Sequence, residues 1–288
     1  MRLDDPYAVP GVYRKAQLHA HTRRSDGRFE PAELARRYRD AGYAFLCFTD
    51  HEVVTRCEEF NDGAFLALPG VEEAVGWGPF PLGPHLGRLL VDRPSGGGGG
   101  ADRVARTLAG GGVPSLHHPS WNGNLWTGGW TAGAVAALPG PYLIEIWNPH
   151  SAPAEDLRRW AAAVRARGPS VRVTAVAADD CHGTAQFDRG WVMVKVPELS
   201  AGALRRALLG GACYASTGVA AEFGADGGAV VARAEADLVL VFDAAGRERA
   251  RVSGGSCRYE PAGDEGFVRL ECHAGERRAW SQAFWVLP

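Results

Sequence analysis

The sequence predicts an α/β protein built on parallel strands, followed by a small antiparallel β module. Three observations predict it. Short apolar, β-favouring runs alternate with helical stretches as far as Gly218, the pattern of repeated strand and helix units in a barrel or open α/β sheet. Motifs of His and carboxylate stand just after most of those runs. Beyond Gly218 the helical pattern stops, and alternating runs are separated by turn signals.

The predicted strands are residues 12–18, 43–49, 65–68, 86–91, 113–116, 142–147, 171–177 and 191–196. Helix 31–41 starts with Pro31 in its first turn and stops before Gly42. Helix 153–167 has Ser151 as its expected cap, a stripe of Leu157, Trp160 and Val164, and Gly168 at its end; helix 201–209 follows Ser200 and stops at Gly210-Gly211. A shorter helix carrying Val104 and Leu108 lies between glycine runs. The later runs, 230–236, 238–242, 250–252, 267–273 and 283–287, give the antiparallel module. The expected division is 10–217 for the α/β barrel and 218–288 for a small β-sandwich-like domain, whose role is packing.

Chemistry is concentrated in an ordered series: His19-Ala20-His21-Thr22, Ser25-Asp26-Gly27, Thr49-Asp50-His51, Gly70-Val71-Glu72, His85-Leu86, His118-Pro119 and Asp180-Cys181-His182. On an extended chain, side chains alternate faces, so His19 and His21 point one way and Ala20 the other; Asp180 and His182 repeat the pattern around Cys181. Imidazole and carboxylate are the donors a divalent ion of borderline hardness prefers. His19, His21, His51, Glu72, His118, Asp180 and His182 fall at or just beyond the carboxyl end of a predicted strand, where parallel barrels keep their active sites. His85 precedes its run, which fits an edge strand entering from the opposite direction.

These motifs resemble, in order, those of the polymerase and histidinol phosphatase (PHP) superfamily, over roughly residues 10 to 215. The resemblance implies a distorted seven-stranded β/α barrel, similar to a TIM barrel, with up to three divalent ions. His19, His21, Glu72 and Asp180 would hold one ion; Glu72 as a bridge, with His85 and His118, a second; Asp26, His51 and His182 a third. His117 is an alternative to His118, which is preferred because the family's ligand directly precedes proline. Residues 144–148, 178–183, 213–218 and 279–282 resemble the CehA/McbA-like branch.

The implied activity is hydrolysis of a small phosphorylated substrate by a hydroxide bridging the ions of a di- or trinuclear site holding zinc, manganese or iron. Glu72, Asp180 and His182 are the expected catalytic residues. Hydrolysis of a carboxylic ester, amide or carbamate is the alternative, and a metal-stabilised binding protein without turnover a third. Arg23, Arg24, Glu145 and Asn148 are expected substrate contacts. Asp50, Asp179 and His117 are expected to orient ligands, and His150 and His273 to be ordinary polar residues. The glycine- and tryptophan-rich stretch 121–130 is expected to cover the rim or stack on a flat group.

The formal net charge of −2 gives no field for extended nucleic-acid binding. No long apolar span or leader pattern is present. The six cysteines are scattered without paired spacing, as in reduced cytoplasmic proteins. The oligomeric state is not legible.

Overall fold

The computed structural model describes residues 2–76, 82–121 and 127–288. The chain runs through strands β1 (Arg2–Asp4), β2 (Val12–Gln17), β3 (Tyr43–Cys47), β4 (Leu66–Leu68), β5 (Gly70–Ala74), β6 (His85–Leu89), β7 (Val113–Leu116), β8 (Tyr142–Trp147), β9 (Val173–Ala177), β10 (Trp191–Val196) and β11 (Cys213–Ser216). Between them lie α1 (Pro31–Asp40), α2 (Gly100–Ala109), α3 (Ala132–Ala136), α4 (Pro153–Arg167) and α5 (Ala201–Gly210). The remainder is all strand: β12 (Ala221–Asp226), β13 (Ala229–Ala234), β14 (Leu238–Asp243), β15 (Glu248–Ser253), β16 (Ser256–Tyr259), β17 (Phe267–Ala274), β18 (Arg277–Trp280) and β19 (Phe284–Leu287).

The helices begin and end for local reasons. Proline opens both α1 and α4, where its missing N–H has no helical partner to lose. Ser200 caps α5 by accepting the N–H of Ala203 at 3.1 Å, and Gly211 ends it in the left-handed region at φ 79°. Ser151 does not cap α4, contrary to expectation. The N-cap position is Ala152, and the Ser151 hydroxyl donates instead to Asp156 at 2.5 Å.

Two parallel runs, β2-β3-β4 and β7-β8-β9, match the predicted strand–helix repeat. Two strands depart from it. β6 runs antiparallel to both β5 and β7, and β10 antiparallel to both β2 and β11. His85 therefore enters the mouth from the opposite direction, as its position implied, but on an interior strand rather than an edge.

Pairing among the described residues does not run unbroken around a ring. The five strands β5 to β9 form one sheet, and β2, β3 and β4 belong to a larger one. Two isolated parallel bridges, Ala20 with Cys181 and His51 with Glu72, tie the sheets together. Both bridges join segments that carry predicted ligands.

Beyond Gly218 the strands build on the larger sheet: β18 pairs with β11, and β1 pairs with β19. A separate sheet, β12-β13-β16, packs over it. Val230, Val239, Val241, Val268, Leu270 and Phe284 fill the space between the two, the arrangement of a β-sandwich. The helices pack on the first part: α1 on β3, α2 on β7, α4 on β8 and β9, and α5 on β9 and β10. The product is a mixed α/β protein with a β-rich second part. No described helix is long and apolar enough to cross a membrane.

Candidate metal centre

The strand ends set the site. Gln17, at the end of β2, uses Oε1 to accept the N–H of His19 and of Asp179, both at 3.2 Å. This binds the two ligand-bearing segments to each other. Ala20 and Cys181 turn away into a buried apolar cluster, so His19 and His21 face inward together, their Nε2 atoms 3.1 Å apart. Alternation works equally on β5. Glu72 points into the site, while Glu73 points to the other side, between Arg88 and Arg103 at 3.2 and 3.1 Å.

Glu72 is the hub. Its Oε1 lies 3.3 Å from His19, 3.1 Å from His85, 2.8 Å from His117 and 3.2 Å from His118. Its Oε2 lies 3.2 Å from both His21 and His51. Asp180 Oδ1 faces His19 at 3.1 Å, His21 at 3.3 Å and His182 at 3.4 Å. Asp26 faces His182 at 3.3 Å, His51 at 3.5 Å and His21 at 3.6 Å. All nine predicted ligands thus come together.

The donor atoms fall into groups close enough to share an ion, among them His19-His21-Glu72, His19-His118-Asp180, His51-Glu72-His85 and His21-Asp26-His51-His182. These overlap the three expected sets without reproducing their divisions. His117 also qualifies, through a group with His19 and Glu145. It stacks on His19 with ring centroids 3.6 Å apart and lies behind the ligands, whereas His118 lines the cleft. The backbone is forced at two of these positions: His118 has φ 28° and Asp180 φ 47°, conformations that cost a non-glycine residue about 1–3 kcal/mol and persist where surrounding structure imposes them.

A divalent ion fits this donor set. Glu72 Oε2, Asp180 Oδ1, His85 Nδ1, His117 Nε2 and His118 Nδ1 are buried without hydrogen-bond partners among the described residues, although buried polar groups are ordinarily satisfied. Six imidazoles around one carboxylate exceed what its lone pairs can accept. Charge within the protein follows the same crowding. Burial pulls the His19 and His21 pKa values down, but Asp180 and Glu72 outweigh it, holding His19 well above the usual range and His21 at about 9. Burial pushes Glu72 and Asp180 up, and the facing imidazoles, His19 first, bring both well below the carboxylate range.

The supporting residues differ from expectation. Glu145 and Asn148, expected as substrate contacts, lie behind the ligands and are each 1% exposed. Glu145 accepts from His19 Nδ1 at 2.7 Å, from the His118 N–H at 2.6 Å and from Asn148 Nδ2 at 2.8 Å. Fixing Nδ1–H in this way leaves the His19 Nε2 lone pair for an ion. Arg23 and Arg24 are exposed and do not line the cleft; Arg23 pairs with Glu30 at 3.2 Å. Asp50 does reach a ligand, through Ser25, whose hydroxyl sits 2.8 Å from Asp50 and 3.4 Å from His21 Nδ1. Asp179 instead accepts the N–H groups of Asp188, Arg189 and Gly190, holding the loop after His182.

The cleft over the ligands has a volume of about 320 Å³ and is lined by Asp26, His51, Glu72, His85, His118, Asp180 and His182, with Trp121, Thr127, His150 and Gln186. His150 was missed, because a histidine after Pro149 carries no local mark of facing a cleft. Trp130 is buried and donates its indole N–H to the His85 carbonyl at 2.9 Å, a packing role. Residues 122–126 of the tryptophan-rich stretch lie outside the described residues. A larger groove of about 590 Å³, lined by Tyr13, Lys15, Tyr43 and Trp191 among others, holds none of these ligands. Its Lys15 is already paired with Asp188 at 2.6 Å, so we place the chemistry in the smaller cleft.

No family model matches the sequence, and no curated protein resembles it closely enough to count as a match. Among solved structures, the chain is similar to a two-domain protein from Bacteroides vulgatus ATCC 8482 that contains a predicted PHP-like metal-dependent phosphoesterase. The TM-score is 0.54 at 17% identity, covering 98% of this chain and 90% of that one. The chain shares its fold with that protein. It is also similar to an amidohydrolase from Chromobacterium violaceum with bound sulfate, at 16% identity and TM-score 0.40 over 58% of this chain and 87% of that one. PsfC from Pseudomonas syringae PB-5123 gives 17% identity and TM-score 0.45 over 65% and 83%. These two overlap too loosely to bear on function, and a shared fold alone does not settle one.

Proposed function

We propose that the protein is a metal-dependent hydrolase, acting on a small phosphoester, with His19, His21, Asp26, His51, Glu72, His85, His118, Asp180 and His182 as the ligands of two or three zinc, manganese or iron ions. The observation that carries this is Glu72, a buried carboxylate whose two oxygens face separate sets of imidazoles. Divalent ions bound there supply Lewis acidity and a water acidic enough to attack near neutral pH. The chain's own residues set the geometry. Glu72 keeps two donor sets at a fixed separation, Glu145 fixes the His19 tautomer, and Asp26 and His182 reach the mouth where a substrate enters.

Charge counting separates the possible substrates. Asp26, Glu72, Asp180 and Glu145 together bring four negative charges to the site. Two divalent ions neutralise them; three leave an excess of two positive charges, suited to a phosphomonoester dianion. The nine-ligand set supports the three-ion reading. Hydrolysis of a carboxylic ester or carbamate is the second reading, supported by one observation: no described residue lining the cleft is a lysine or arginine.

Metal analysis with a substrate panel tests the proposal. Phosphate release from p-nitrophenyl phosphate, abolished in folded His19→Ala and Asp180→Asn proteins, is the expected result. Cleavage of naphthyl esters without phosphate release supports the second reading. A full metal complement with neither activity means a metal-stabilised binding protein.

A further inference from the structure

The β-rich second part of the chain carries none of the proposed ligands, yet one of its side chains reaches the strand that leads into the site. β9 ends the five-stranded sheet and pairs with β8 alone among the described strands. A sheet edge presents unpaired N–H and C=O groups, and buried ones need partners. Gln282, in the segment between β18 and β19, supplies them. Its Oε1 accepts the Ala175 N–H at 2.8 Å, and its Nε2 donates to the Ala175 carbonyl at 2.8 Å and the Cys213 carbonyl at 3.0 Å. All three residues are fully buried. The amide replaces strand pairing between β9 and β11, and only this orientation of it matches donors with acceptors.

Gln282 is itself held in place. Its backbone N–H donates to the Tyr7 hydroxyl at 2.7 Å, and the neighbouring Ser281 exchanges hydrogen bonds with Leu270 of β17 at 3.0 and 2.9 Å. Beyond β9, Gln17 Oε1 takes the Asp179 N–H and Cys181 bridges to Ala20. Asp180 therefore sits between two fixed flanks, β9 clamped at Ala175 and the bridge at Cys181. Its φ of 47° is a conformation that lasts only while its surroundings impose it. With β9 free to shift at its open edge, the backbone at Asp180 relaxes and its carboxylate moves away from His19 and His21.

We infer that Gln282 is a positioning residue for the metal centre, through which the second part of the chain fixes β9 and so Asp180. The inference rests on the reading of His19, His21 and Asp180 as metal ligands, and it gives the second part a role beyond packing. Gln282 touches neither ion nor substrate; it acts through Ala175.

Zinc affinity in the full chain, measured by competition with a chromophoric chelator, tests this. Gln282→Met keeps the length of the side chain and removes its three hydrogen bonds. Val230→Ala is the control, since it lowers stability from a core that contains no residue of β9. Affinity falls roughly 10-fold in Gln282→Met, the lower end of the range for residues that orient metal ligands, and stays at the wild-type value in Val230→Ala. Amide exchange of the metal-free proteins adds a readout that needs no ion: Gln282→Met loses protection at Ala175 and through residues 178–181, with β8 unchanged. If Gln282→Met does not fold, Tyr7→Phe loosens the same clamp by one hydrogen bond and lowers zinc affinity by roughly 2- to 5-fold. Wild-type affinity in the folded clamp variant, or an equal fall in Val230→Ala, overturns the inference and leaves the ligand assignment standing. Failure of the wild type to bind zinc overturns the metal reading and the inference together.

Discussion

Replacing Glu145 with glutamine alters one atom and puts two requirements in conflict. The carboxylate accepts three hydrogen bonds, from His19 Nδ1, the His118 backbone and Asn148 Nδ2. In Glu145→Gln the side chain has one oxygen and one NH2 group. If the oxygen faces His19, the NH2 meets the His118 N–H, donor against donor. If the oxygen faces His118, His19 must shift its proton from Nδ1 to Nε2, and Nε2 then has no lone pair for an ion. Residues that orient metal-bound histidines are worth roughly 10- to 100-fold in affinity, or about 1.4–2.7 kcal/mol. We expect Glu145→Gln to lose metal affinity in that range, measured by competition with a chromophoric chelator, with its circular dichroism unchanged. Wild-type affinity in a folded Glu145→Gln protein would refute the assigned role of Glu145.

Three further outcomes are expected. Glu73→Ala leaves Arg88 and Arg103, 6% and 8% exposed, without their shared carboxylate, and should cost about 3–5 kcal/mol in denaturant unfolding; a loss near zero would show that the pair relaxes into water. Gly87→Ala places a methyl group where the His117 ring lies; overpacking of this kind costs about 1–3 kcal/mol, and metal affinity should fall with stability, since His117 holds both Glu72 and the face of His19. Asp156 is pushed up to about 6 by burial. The folded state therefore holds its proton more tightly than the unfolded chain, and stability drains away as pH rises from about 4 through about 6. Asp156→Asn should gain up to about 3 kcal/mol over the wild type above that window and little below it; a difference that is flat with pH would contradict the shift.

Much of the fold was legible because its signals are local. Helix 153–167 and strands 113–116, 142–147 and 191–196 were found at their observed limits, since periodicity and flanking proline or glycine act within a few residues. The strand β5 was not found: Gly70-Val71-Glu72-Glu73-Ala74 reads as polar, and only distant partners, six imidazoles on one side and two arginines on the other, make it a buried strand. β11 and β18 were missed for a similar reason, as their pairing joins residues far apart in sequence. The residues that gather at the candidate site were legible as residue types at strand ends. Which residues face the cleft was not: Glu145, within β8, and Asn148, just after it, lie behind the cleft-lining residues, and Arg23 is on an exposed loop. His150 reaches the cleft because Asn148 captures its backbone.

The central claim is that Glu72 joins the donor sets of a multinuclear metal site, and metal stoichiometry tests it most directly. Wild-type protein reconstituted with zinc or manganese and then dialysed should retain two or more ions per chain, and folded Glu72→Gln should retain fewer. Retention of no divalent ion by the wild type, or an equal complement in both proteins, would contradict the account.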